Sequence, residues 1–408
     1  MRKKILINIH YLEIGGAESS LIGLLHSLDS QKLSVDLMLY DRRGEMLQYV
    51  PDWVNIIDVP KAYSMIEVPI RNVIKKGYWG IAFARIWAKL KFYLYNKKNH
   101  PKEGSAIFGY VGKYVTPFLP SLKKLGEYDL AVSYLTPHNI VLEKVKAKKK
   151  ICWIHTDYSS IDVNKKLEFP VWNGYDIIVS ISEKVTESFC YVFPELKEKI
   201  IKIGPILSRE IIERRSMEFI PEDMKKKGDE LLILSIGRYC YAKNFESIPQ
   251  ICRILLDKGI NLKWYIIGYG ASDNYIKDEI KKNNIENRVI VLGKKENPYP
   301  YIRACDYYVQ PSRYEGNSIT VKEAQILGKP VIITNYPTAT SQIEKGVDGF
   351  IGPIENDKFA AYFADLWINR QDKIAQVKNK LVDFDLYGLE NISKFYYLVD
   401  MNSQNDLN

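Results

Sequence analysis

The feature that most constrains the fold is a series of short apolar runs that alternate with helical stretches. In the first half of the chain these strand-like runs lie at residues 4–9, 35–39, 54–59, 130–134, 150–154 and 177–181. Strands that alternate with helices form a parallel sheet that is covered on both faces. The pattern therefore predicts the α/β class and one Rossmann-like domain over residues 1–206.

The same series starts again at residues 231–236, after a charged and weakly patterned segment. Its later runs lie at residues 262–267, 289–292, 307–310 and 330–334. We predict a second Rossmann-like domain over residues 229–385, with residues 207–228 as the linker. Ligands of open parallel sheets sit at the carboxyl ends of the strands, so two such domains that face each other would form a ligand cleft.

Composition excludes several classes of protein. The chain has 408 residues, enough for two domains, and its 46% hydrophobic and 26% charged content is typical of a globular protein. Its five cysteines are widely spread, without a Cys-x-x-Cys pair, which indicates a reducing compartment and no structural zinc site. No apolar run is long enough to span a membrane, and the start of the chain lacks the apolar core of a signal peptide. We therefore expect a cytoplasmic protein.

The positive charge is concentrated in residues 61–102. This segment has ten Lys or Arg residues and a single acid, Glu67, an excess equal to the net charge of +9 of the whole chain. Its interleaved aromatic residues allow it to lie on an anionic membrane surface. The alternative is an amphipathic helix that packs on its own domain and exposes its lysines to solvent. No nucleic-acid motif accompanies the segment, so nucleic acid is not an expected partner.

Two glutamates bracket a predicted anion site. Residues 311–317 are predicted to form a loop and residues 318–327 a helix, whose free N–H groups and dipole suit a phosphate. Glu315 precedes the helix start and Glu323 follows eight residues later, a separation of about 10 to 12 Å at a helical rise of about 1.5 Å per residue. Because ionised carboxylates only accept hydrogen bonds, their natural partners are hydroxyls, such as those of a sugar and a ribose.

Both glutamates also have a purely structural interpretation. Ser312-x-x-Glu315 and Thr320-x-x-Glu323 match the capping box, in which the glutamate bonds the backbone at a helix start. A Gly-Asn pair directly follows Glu315, where a helix should continue, and this argues against the first box. The second box would leave a short helix and stays open.

Cations follow the first strand of the predicted second domain. Arg238 and Lys243 place a guanidinium and an ammonium at the carboxyl edge of that sheet. Together they can neutralise a diphosphate. The alternative is an ordinary surface pair at a helix start, because exposed Lys and Arg are common.

The first domain contributes two weaker candidates. Gly15 and Gly16 follow the first strand and would let a phosphate or sugar approach the backbone, although their surroundings match neither the Walker motif nor Gly-x-Gly-x-x-Gly. His155 ends another strand, a position suited to polar contact or proton transfer. A lone histidine is as often structural, so both roles of His155 remain open.

Together these segments resemble the retaining glycosyltransferases of family 4, which have the GT-B fold. The most specific match is "PSRYEGNSITVKEAQILGKPVI", which carries the family's Glu-x7-Glu signature. Weaker matches occur in the family's order: Gly-Gly-Ala-Glu near the start, His155, Gly237-Arg238 with Lys243, the glycines at 268 and 270, and Val-Leu-Gly at 291–293. The resemblance implies two Rossmann-like domains that face each other across a cleft, with residues 386–408 as a helix and tail that cross back to the first domain.

The resemblance also implies a donor site for a nucleotide sugar. Arg238 and Lys243 would neutralise the diphosphate, Glu315 would face the sugar hydroxyls, and Glu323 would accept from the ribose. The remaining donor contacts would be the backbone N–H groups of Asn317, Ser318 and Ile319 on the diphosphate and sugar, the adjoining Gly316, Gly293 and Lys294 beside the base, and Gly16 of the first domain beside the diphosphate.

In retaining members the leaving diphosphate oxygen takes the proton of the acceptor on the same face, so stabilisation of the diphosphate is the main catalytic contribution. By this resemblance the catalytic residues are Glu315, His155, Arg238 and Lys243, and His155 contacts the sugar or aligns the acceptor. No metal or other cofactor is expected. The sequence Asp-Phe-Asp at 383–385 matches the Asp-x-Asp of metal-dependent transferases, but it lies near the end of the chain, outside that motif's context.

The implied function is hexosyl transfer from a UDP- or GDP-sugar to a saccharide acceptor, lipid-linked, in capsule, exopolysaccharide or lipopolysaccharide assembly. Such an enzyme would be peripheral on the inner face of the cytoplasmic membrane. The alternatives are a non-catalytic scaffold that binds nucleotide sugars, and an epimerase or a glycosyl phosphorylase of the same architecture. Asn317 and Ser318 depart from the residues of many members, which leaves the donor sugar open, and Asn244 replaces a frequent glycine.

Overall fold

The computed structural model describes residues 2–99, 107–315, 318–381 and 386–401. The predicted site residues Gly316 and Asn317 lie outside this part of the chain, as does the Asp-Phe-Asp sequence. The chain divides into two compact units, Met1–Ile206 with Glu390–Asn408 and Leu207–Leu389.

The first unit is built on a parallel sheet of seven strands. The strands are β1 (Lys3–Ile9), β2 (Leu33–Leu39), β3 (Asn55–Ile57), β4 (Glu127–Ser133), β5 (Lys146–Ile154), β6 (Ile177–Ser180) and β7 (Ile200–Lys202). Their order is β3-β2-β1-β4-β5-β6-β7. The order reverses between β1 and β4, and open sheets of this type bind ligands at the carboxyl ends of the strands at such a reversal. The predicted Rossmann-like sheet is confirmed.

Among the described residues, seven helices accompany this sheet. They are α1 (Gly16–Ser27), α2 (Ile70–Lys75), α3 (Trp79–Asn99), α4 (Ile107–Val115), α5 (Asn139–Lys144), α6 (Lys165–Asn173) and α7 (Glu183–Val192). The central strands are buried on both faces, which is why they read as continuous apolar runs in the sequence. Helix α3 adds Ile81, Ala82 and Ala84 to the core of this unit.

The second unit has a parallel sheet of six strands. The strands are β8 (Leu231–Ile236), β9 (Leu262–Ile267), β10 (Val289–Gly293), β11 (Tyr307–Gln310), β12 (Val331–Thr334) and β13 (Phe350–Gly352). Their order is β10-β9-β8-β11-β12-β13, so the reversal lies between β8 and β11. This second Rossmann-like sheet is also confirmed, and the loops that carry Arg238, Lys243 and Glu315 leave the two strands at the reversal.

In the described part of the second unit there are eight helices before the last helix of the chain. They are α8 (Arg209–Ser216), α9 (Ile248–Asp257), α10 (Asp273–Lys282), α11 (Tyr299–Ala304), α12 (Ile319–Ile326), α13 (Ala339–Gln342), α14 (Asn356–Asn369) and α15 (Gln371–Leu381). Helix α8 occupies part of the predicted linker. The Ser208 hydroxyl caps it by accepting from the N–H of Ile211 at 3.4 Å, and Ile212 packs in the core of the second unit. Residues 207–228 therefore contain an ordered helix rather than a connector alone.

The last helix, α16 (Leu386–Asp400), brings the chain back to the first unit from Glu390 onwards. The Lys3 ammonium donates to the Val399 carbonyl at 3.0 Å, and the buried Lys149 ammonium donates to the Leu398 carbonyl at 2.8 Å. The Trp153 and Phe395 rings lie 6.2 Å apart. These contacts tie the end of the helix to strands β1 and β5. Within the described residues, no helix combines the length and apolar character needed to cross a membrane.

Candidate functional site

Two loops meet at the reversal of the second sheet. One follows β8 and carries Lys243, and the other follows β11 and carries Glu315. The Asn244 side-chain amide donates to the Pro311 carbonyl at 3.1 Å, and the Arg313 N–H donates to the Ala242 carbonyl at 2.8 Å. These bonds fix the two loops against each other, so the side chains that they carry are held at set positions.

Asn244 has a left-handed backbone, with φ of 55°. This conformation is costly for most residues and is tolerated best by glycine and asparagine. The glycine that the resemblance leads us to expect at position 244 thus has a physical reason. In this chain asparagine meets the same requirement and adds the side-chain bond to Pro311.

Glu315 is the centre of a compact polar cluster. Its Oε1 accepts from the Lys243 ammonium at 2.6 Å, from the Ser312 hydroxyl at 2.6 Å and from the Gln310 amide at 3.3 Å. The side chain of Glu315 is only 10% exposed and that of Lys243 only 19%. A carboxylate with several donors on one oxygen is held in a single orientation. Ser312 starts no helix, so the capping-box interpretation of Glu315 is wrong.

The hydrogen bonds around Glu315 continue through Gln310 to Tyr308 of strand β11. The Tyr308 hydroxyl lies 2.6 Å from the Gln310 side-chain oxygen and 2.8 Å from the Thr320 hydroxyl. Burial raises the pKa of Tyr308, so the phenol keeps its proton and remains a donor. The strand thus orients Gln310, whose amide then faces Glu315.

Helix α12 begins at Ile319 with Ser318 as its N-cap residue. The Ser318 N–H donates to the Gln342 side-chain oxygen at 3.3 Å, and the Gln342 amide donates to the Ser318 carbonyl at 2.6 Å. Gln342 thus occupies the Ser318 N–H that the resemblance assigns to the diphosphate, and that role of Ser318 stays a prediction. Contact of Ser318 with a phosphate requires Gln342 to give up its bond to this N–H.

Glu323 is almost completely buried, at 4% exposure. Its Oε1 accepts from the Tyr299 hydroxyl at 2.7 Å, and Arg215, which is also buried, lies over the Tyr299 ring at 4.8 Å. Burial raises the pKa of Glu323, while the Tyr299 bond and the Arg215 charge oppose that rise. The capping-box alternative is wrong here as well, because the N-cap position of α12 is Ser318 rather than Thr320 and Glu323 bonds a side chain of α11. The ribose role of Glu323 stays a proposal.

The other predicted residues of the second unit follow neighbouring strands. Arg238 is exposed after β8. Gly293 ends β10 with φ of 70°, and the Lys294 ammonium lies 5.8 Å from the Tyr269 ring centre. Gly268 must be a glycine, because a Cβ there would lie 1.9 Å from the Gly237 carbonyl oxygen. All of these residues lie at the carboxyl ends of the strands.

Gly16 and His155 belong to the first unit. Gly16 opens α1, and the Glu18 carboxylate folds back so closely that a Cβ on Gly15 would lie 2.1 Å from it. A carboxylate at a helix start weakens the attraction of that position for an anion. Burial raises the pKa of Glu18.

His155 directly follows β5 and lies against Tyr134, with ring centres 4.8 Å apart and the ring planes tilted by 51°. Burial lowers its pKa to about 4, so the imidazole is neutral at physiological pH. Its Nε2 is buried and meets no hydrogen-bond partner within the described part of the chain. A neutral imidazole in this state can exchange a hydrogen bond with a hydroxyl, but it is a weak general acid.

Two further histidines at the same edge were not predicted from the sequence. His10 directly follows β1, and its Nδ1 contacts the Glu67 carboxylate. His138 lies after β4, bonded through Nδ1 to the Ser133 hydroxyl at 2.8 Å, and burial lowers its pKa to about 3. Both have a buried Nε2 that forms no hydrogen bond with any described residue. The position of His10 at a strand end was the available signal, the same one that identified His155.

His138 also borders a cavity of about 210 Å³ in the first unit. Its other walls include Asn139, Tyr158, Glu168 and Trp172. The Glu168 carboxylate accepts from the Tyr158 hydroxyl at 3.2 Å and from the Trp172 indole N–H at 3.4 Å. Burial raises the pKa of Glu168. A carboxylate has about four acceptor positions and these bonds use two of them, so Glu168 keeps capacity to accept from a ligand.

Residues 216–380, less than half of the chain, match the family model for glycosyl transferases group 1. This segment contains Arg238, Lys243, Glu315 and Glu323.

Two curated relatives are similar to the chain. An N-acetylgalactosamine-N,N'-diacetylbacillosaminyl-diphospho-undecaprenol 4-alpha-N-acetylgalactosaminyltransferase of Campylobacter jejuni is 24% identical over 387 residues, 93% of this chain and 93% of the relative. The amylovoran biosynthesis glycosyltransferase AmsK of Erwinia amylovora is 26% identical over 262 residues, 56% of this chain and 64% of the relative. The chain spans between 31% and 64% of the length of four curated relatives that it matches.

Solved structures match over nearly the whole length. A structure of Anabaena HepE in complex with UDP and glucose has a TM-score of 0.64 at 14% identity and covers 98% of this chain and 100% of its own. A glycosyltransferase from Rickettsia africae has the same TM-score and identity and covers 98% of both chains. The chain has the GT-B fold. The matched family model and the named relatives are all described as glycosyltransferases.

Proposed function

We propose that this protein is a retaining glycosyltransferase of family 4 that moves a hexose from a UDP- or GDP-sugar to a saccharide acceptor. The observation that carries the proposal is the Glu315 cluster. It places a carboxylate, an ammonium and a helix start at the reversal of the second sheet, inside the segment that matches the family model. A carboxylate suits sugar hydroxyls, and a cation with a helix start suits a diphosphate.

The charge of each site residue suggests its role in the reaction. Arg238 and Lys243 stabilise the negative charge that develops on the diphosphate as the glycosidic bond breaks. Glu315 orients the ammonium of Lys243 and accepts from hydroxyls of the transferred sugar. Neutral His155 supplies a hydrogen bond to the sugar or to the acceptor. In this scheme the leaving diphosphate accepts the acceptor's proton, so the reaction needs no metal and no separate general base.

A lipid-linked acceptor is part of the proposal. The Campylobacter relative carries diphospho-undecaprenol in its name, and the names of other relatives refer to amylovoran, capsular polysaccharide and O-antigen biosynthesis. We therefore propose that the chain works at the inner face of the cytoplasmic membrane during assembly of a surface polysaccharide. The buried imidazoles and the cavity beside Glu168 are the candidates for acceptor contacts in the first unit.

The experiment is a turnover assay with a panel of UDP- and GDP-sugars and a lipid extract that contains polyprenyl-linked saccharides. Expected are donor-specific release of nucleoside diphosphate and a glycosylated product whose anomeric configuration equals that of the donor. Glu315→Gln should lower product formation by about 100-fold or more. Lys226→Met, which removes a surface partner of Asp306 at 2.8 Å, is the matched control and should retain activity.

Other outcomes identify the alternatives. Inversion of the anomeric configuration would reject the retaining mechanism while leaving transfer intact. A donor that returns as its epimer, or a phosphate-dependent release of sugar phosphate, would indicate an epimerase or a phosphorylase. Tight binding of a nucleotide sugar without turnover by any acceptor would indicate a scaffold.

A further inference from the structure

Helix α3 exposes large apolar side chains along one face. Seven of them are between 39% and 67% exposed, and we call this set the α3 stripe: Trp79, Phe83, Ile86, Trp87, Leu90, Tyr93 and Leu94. Single exposed apolar residues are common on protein surfaces, but a continuous row of seven is not. The row therefore needs an explanation other than chance.

The spacing of the α3 stripe is that of one helix face. Its members recur three or four positions apart, and at 3.6 residues per turn they fall within an arc of about 120°. The rings of Phe83 and Trp87 stack with centres 6.4 Å apart. Phe118, also exposed, lies against Gly80 at the start of the helix and extends the apolar surface.

The opposite face of α3 is packed against the rest of the first unit. Ile81 and Ala84 are buried in the main core, and Ala88 is buried against Tyr110 and Leu167. The Arg85 guanidinium donates to the Met65 carbonyl at 2.8 Å. The helix is thus anchored by its small and polar side, and the larger apolar side chains remain outward. This differs from a packed amphipathic helix, which would expose its lysines alone.

Cations border the α3 stripe on both sides. Lys89 and Lys91 lie about 40° beyond its two edges at 100° per residue. The Lys91 ammonium also covers the Trp87 ring at 4.8 Å. Helix α3 contains no acidic residue, and Lys75 and Lys76 are exposed just before it. An apolar face flanked by lysines fits the boundary between lipid headgroups and acyl chains.

We infer that α3 lies in the plane of an anionic membrane, with the α3 stripe buried in the interface and the flanking lysines on lipid phosphates. A second copy of the chain is a poorer occupant, because it would bring two strongly basic surfaces together without compensating acids. Anionic lipid supplies the complementary charge. The inference deepens the proposed function, since a lipid-linked acceptor lies at the same surface, but its test needs no catalysis.

The test measures co-sedimentation of the full chain with phosphatidylcholine vesicles, with and without about one-third phosphatidylglycerol. We expect binding to the anionic vesicles to be at least about tenfold stronger than to the neutral ones. It should weaken as the ionic strength rises from about 0.05 M to about 0.5 M, since the Debye length shortens. Tryptophan emission should shift to the blue on binding and be quenched by brominated lipid.

Two variants separate the apolar and the electrostatic parts. Trp79→Ser with Phe83→Ser and Leu90→Gln should lower vesicle binding at least about tenfold, and the fold should survive because these side chains are exposed. Neutralising Lys75, Lys76, Lys89 and Lys91 with glutamine should remove the preference for anionic lipid. The matched control is Tyr191→Ser, which removes an aromatic side chain that is 88% exposed on α7, and it should bind as the wild type does.

Three results would overturn the inference. These are wild-type protein that ignores anionic vesicles, a stripe variant that binds them unchanged, and a wild-type dimer in light scattering that the stripe variant dissociates. The weakly active Glu315→Gln variant should bind vesicles normally. Loss of turnover with intact vesicle binding would therefore count against the proposed function alone.

Discussion

The Lys243 ammonium lies 2.6 Å from Oε1 of Glu315, and this ion pair joins the loop after β8 to the loop after β11. Both side chains are mostly buried, so water screens the pair less than it would at the surface. Ser312 donates to the same oxygen at 2.6 Å. The pair therefore has two consequences that can be measured separately, one for stability and one for activity.

A double-mutant cycle of Lys243→Met and Glu315→Gln should show that the two side chains stabilise each other. We expect a coupling of about 1–3 kcal/mol in the free energy of unfolding, because either single change leaves a charged partner behind. Urea unfolding of the four proteins measures it. The control cycle uses Lys226 and Asp306, an exposed pair that should couple by less than about 1 kcal/mol. Equal coupling free energies in the two cycles would show that the Lys243–Glu315 pair stabilises the fold no more than an exposed ion pair does.

The same Glu315→Gln change should lower kcat by about 100-fold or more, in line with the loss of one preorganised charged group. Because glutamine is nearly isosteric, the fold should be retained in circular dichroism. A variant with the wild-type kcat would remove Glu315 from the catalytic site.

Replacement of Asn244 tests the strained turn. Asn244→Ala should lower the free energy of unfolding by about 1–2 kcal/mol, because alanine is unfavourable at φ of 55°. Asn244→Gly relieves the backbone but loses the bond to Pro311, so it should be the milder change. Thermal unfolding of both variants shows which of the two loses more stability. If Asn244→Ala is more stable than Asn244→Gly, the explanation from the backbone conformation is contradicted.

The buried histidine His138 should make the protein sensitive to mild acid. Its pKa in the folded chain is about 3, below the ordinary value of 6.5, so the unfolded chain binds more protons between these values. The stability that it contributes is therefore present above pH 6.5 and is lost as the pH falls. From pH 7 to pH 5 this loss is about 2 kcal/mol. His138→Gln should reduce the pH dependence by that amount, whereas Asn139→Ala, a neighbouring change that removes no ionisable group, should not.

The Tyr299 hydroxyl should stabilise the buried Glu323 carboxylate through its hydrogen bond. Tyr299→Phe removes its donor at 2.7 Å and should cost about 1–3 kcal/mol of stability at neutral pH. The cost should shrink as the pH falls, because a protonated carboxyl depends less on that donor. Tyr301→Phe on the same helix, whose hydroxyl meets Asp223 at 3.3 Å, is the milder control. If Glu323 also accepts from the ribose, Tyr299→Phe will raise the KM for the donor.

Most of the fold could be predicted from the sequence because its central strands are apolar on both faces. The strand over 307–310 and the helix after it were predicted within one residue of their observed bounds. The edge strands Ile200–Lys202 and Phe350–Gly352 were missed, since three residues are too short to show a pattern. Helix α8 was missed because its buried Arg215 reads as a solvated charge until Tyr299 is brought against it.

The candidate site was predictable in its residue types but not in its contacts. Spacing indicated that Glu315 and Glu323 bracket a helix start. It could not indicate that Glu323 is buried under Tyr299, 24 residues away, or that Gln342 bonds the N–H of Ser318. Such partners come from other elements, and only the folded chain brings them together. The pairing of His10 with Glu67 was missed for the same reason.

The central claim is that the second unit binds a nucleoside diphosphate through its cations, and calorimetric titration of the full chain with UDP and with GDP tests it most directly. The account predicts binding of at least one of them with a Kd below about 1 mM, weakened at least about tenfold in Lys243→Met and in Arg238→Met. Lys226→Met should bind as the wild type does. If neither nucleotide binds, or if the two site variants bind as tightly as the wild type, the donor-site assignment is contradicted.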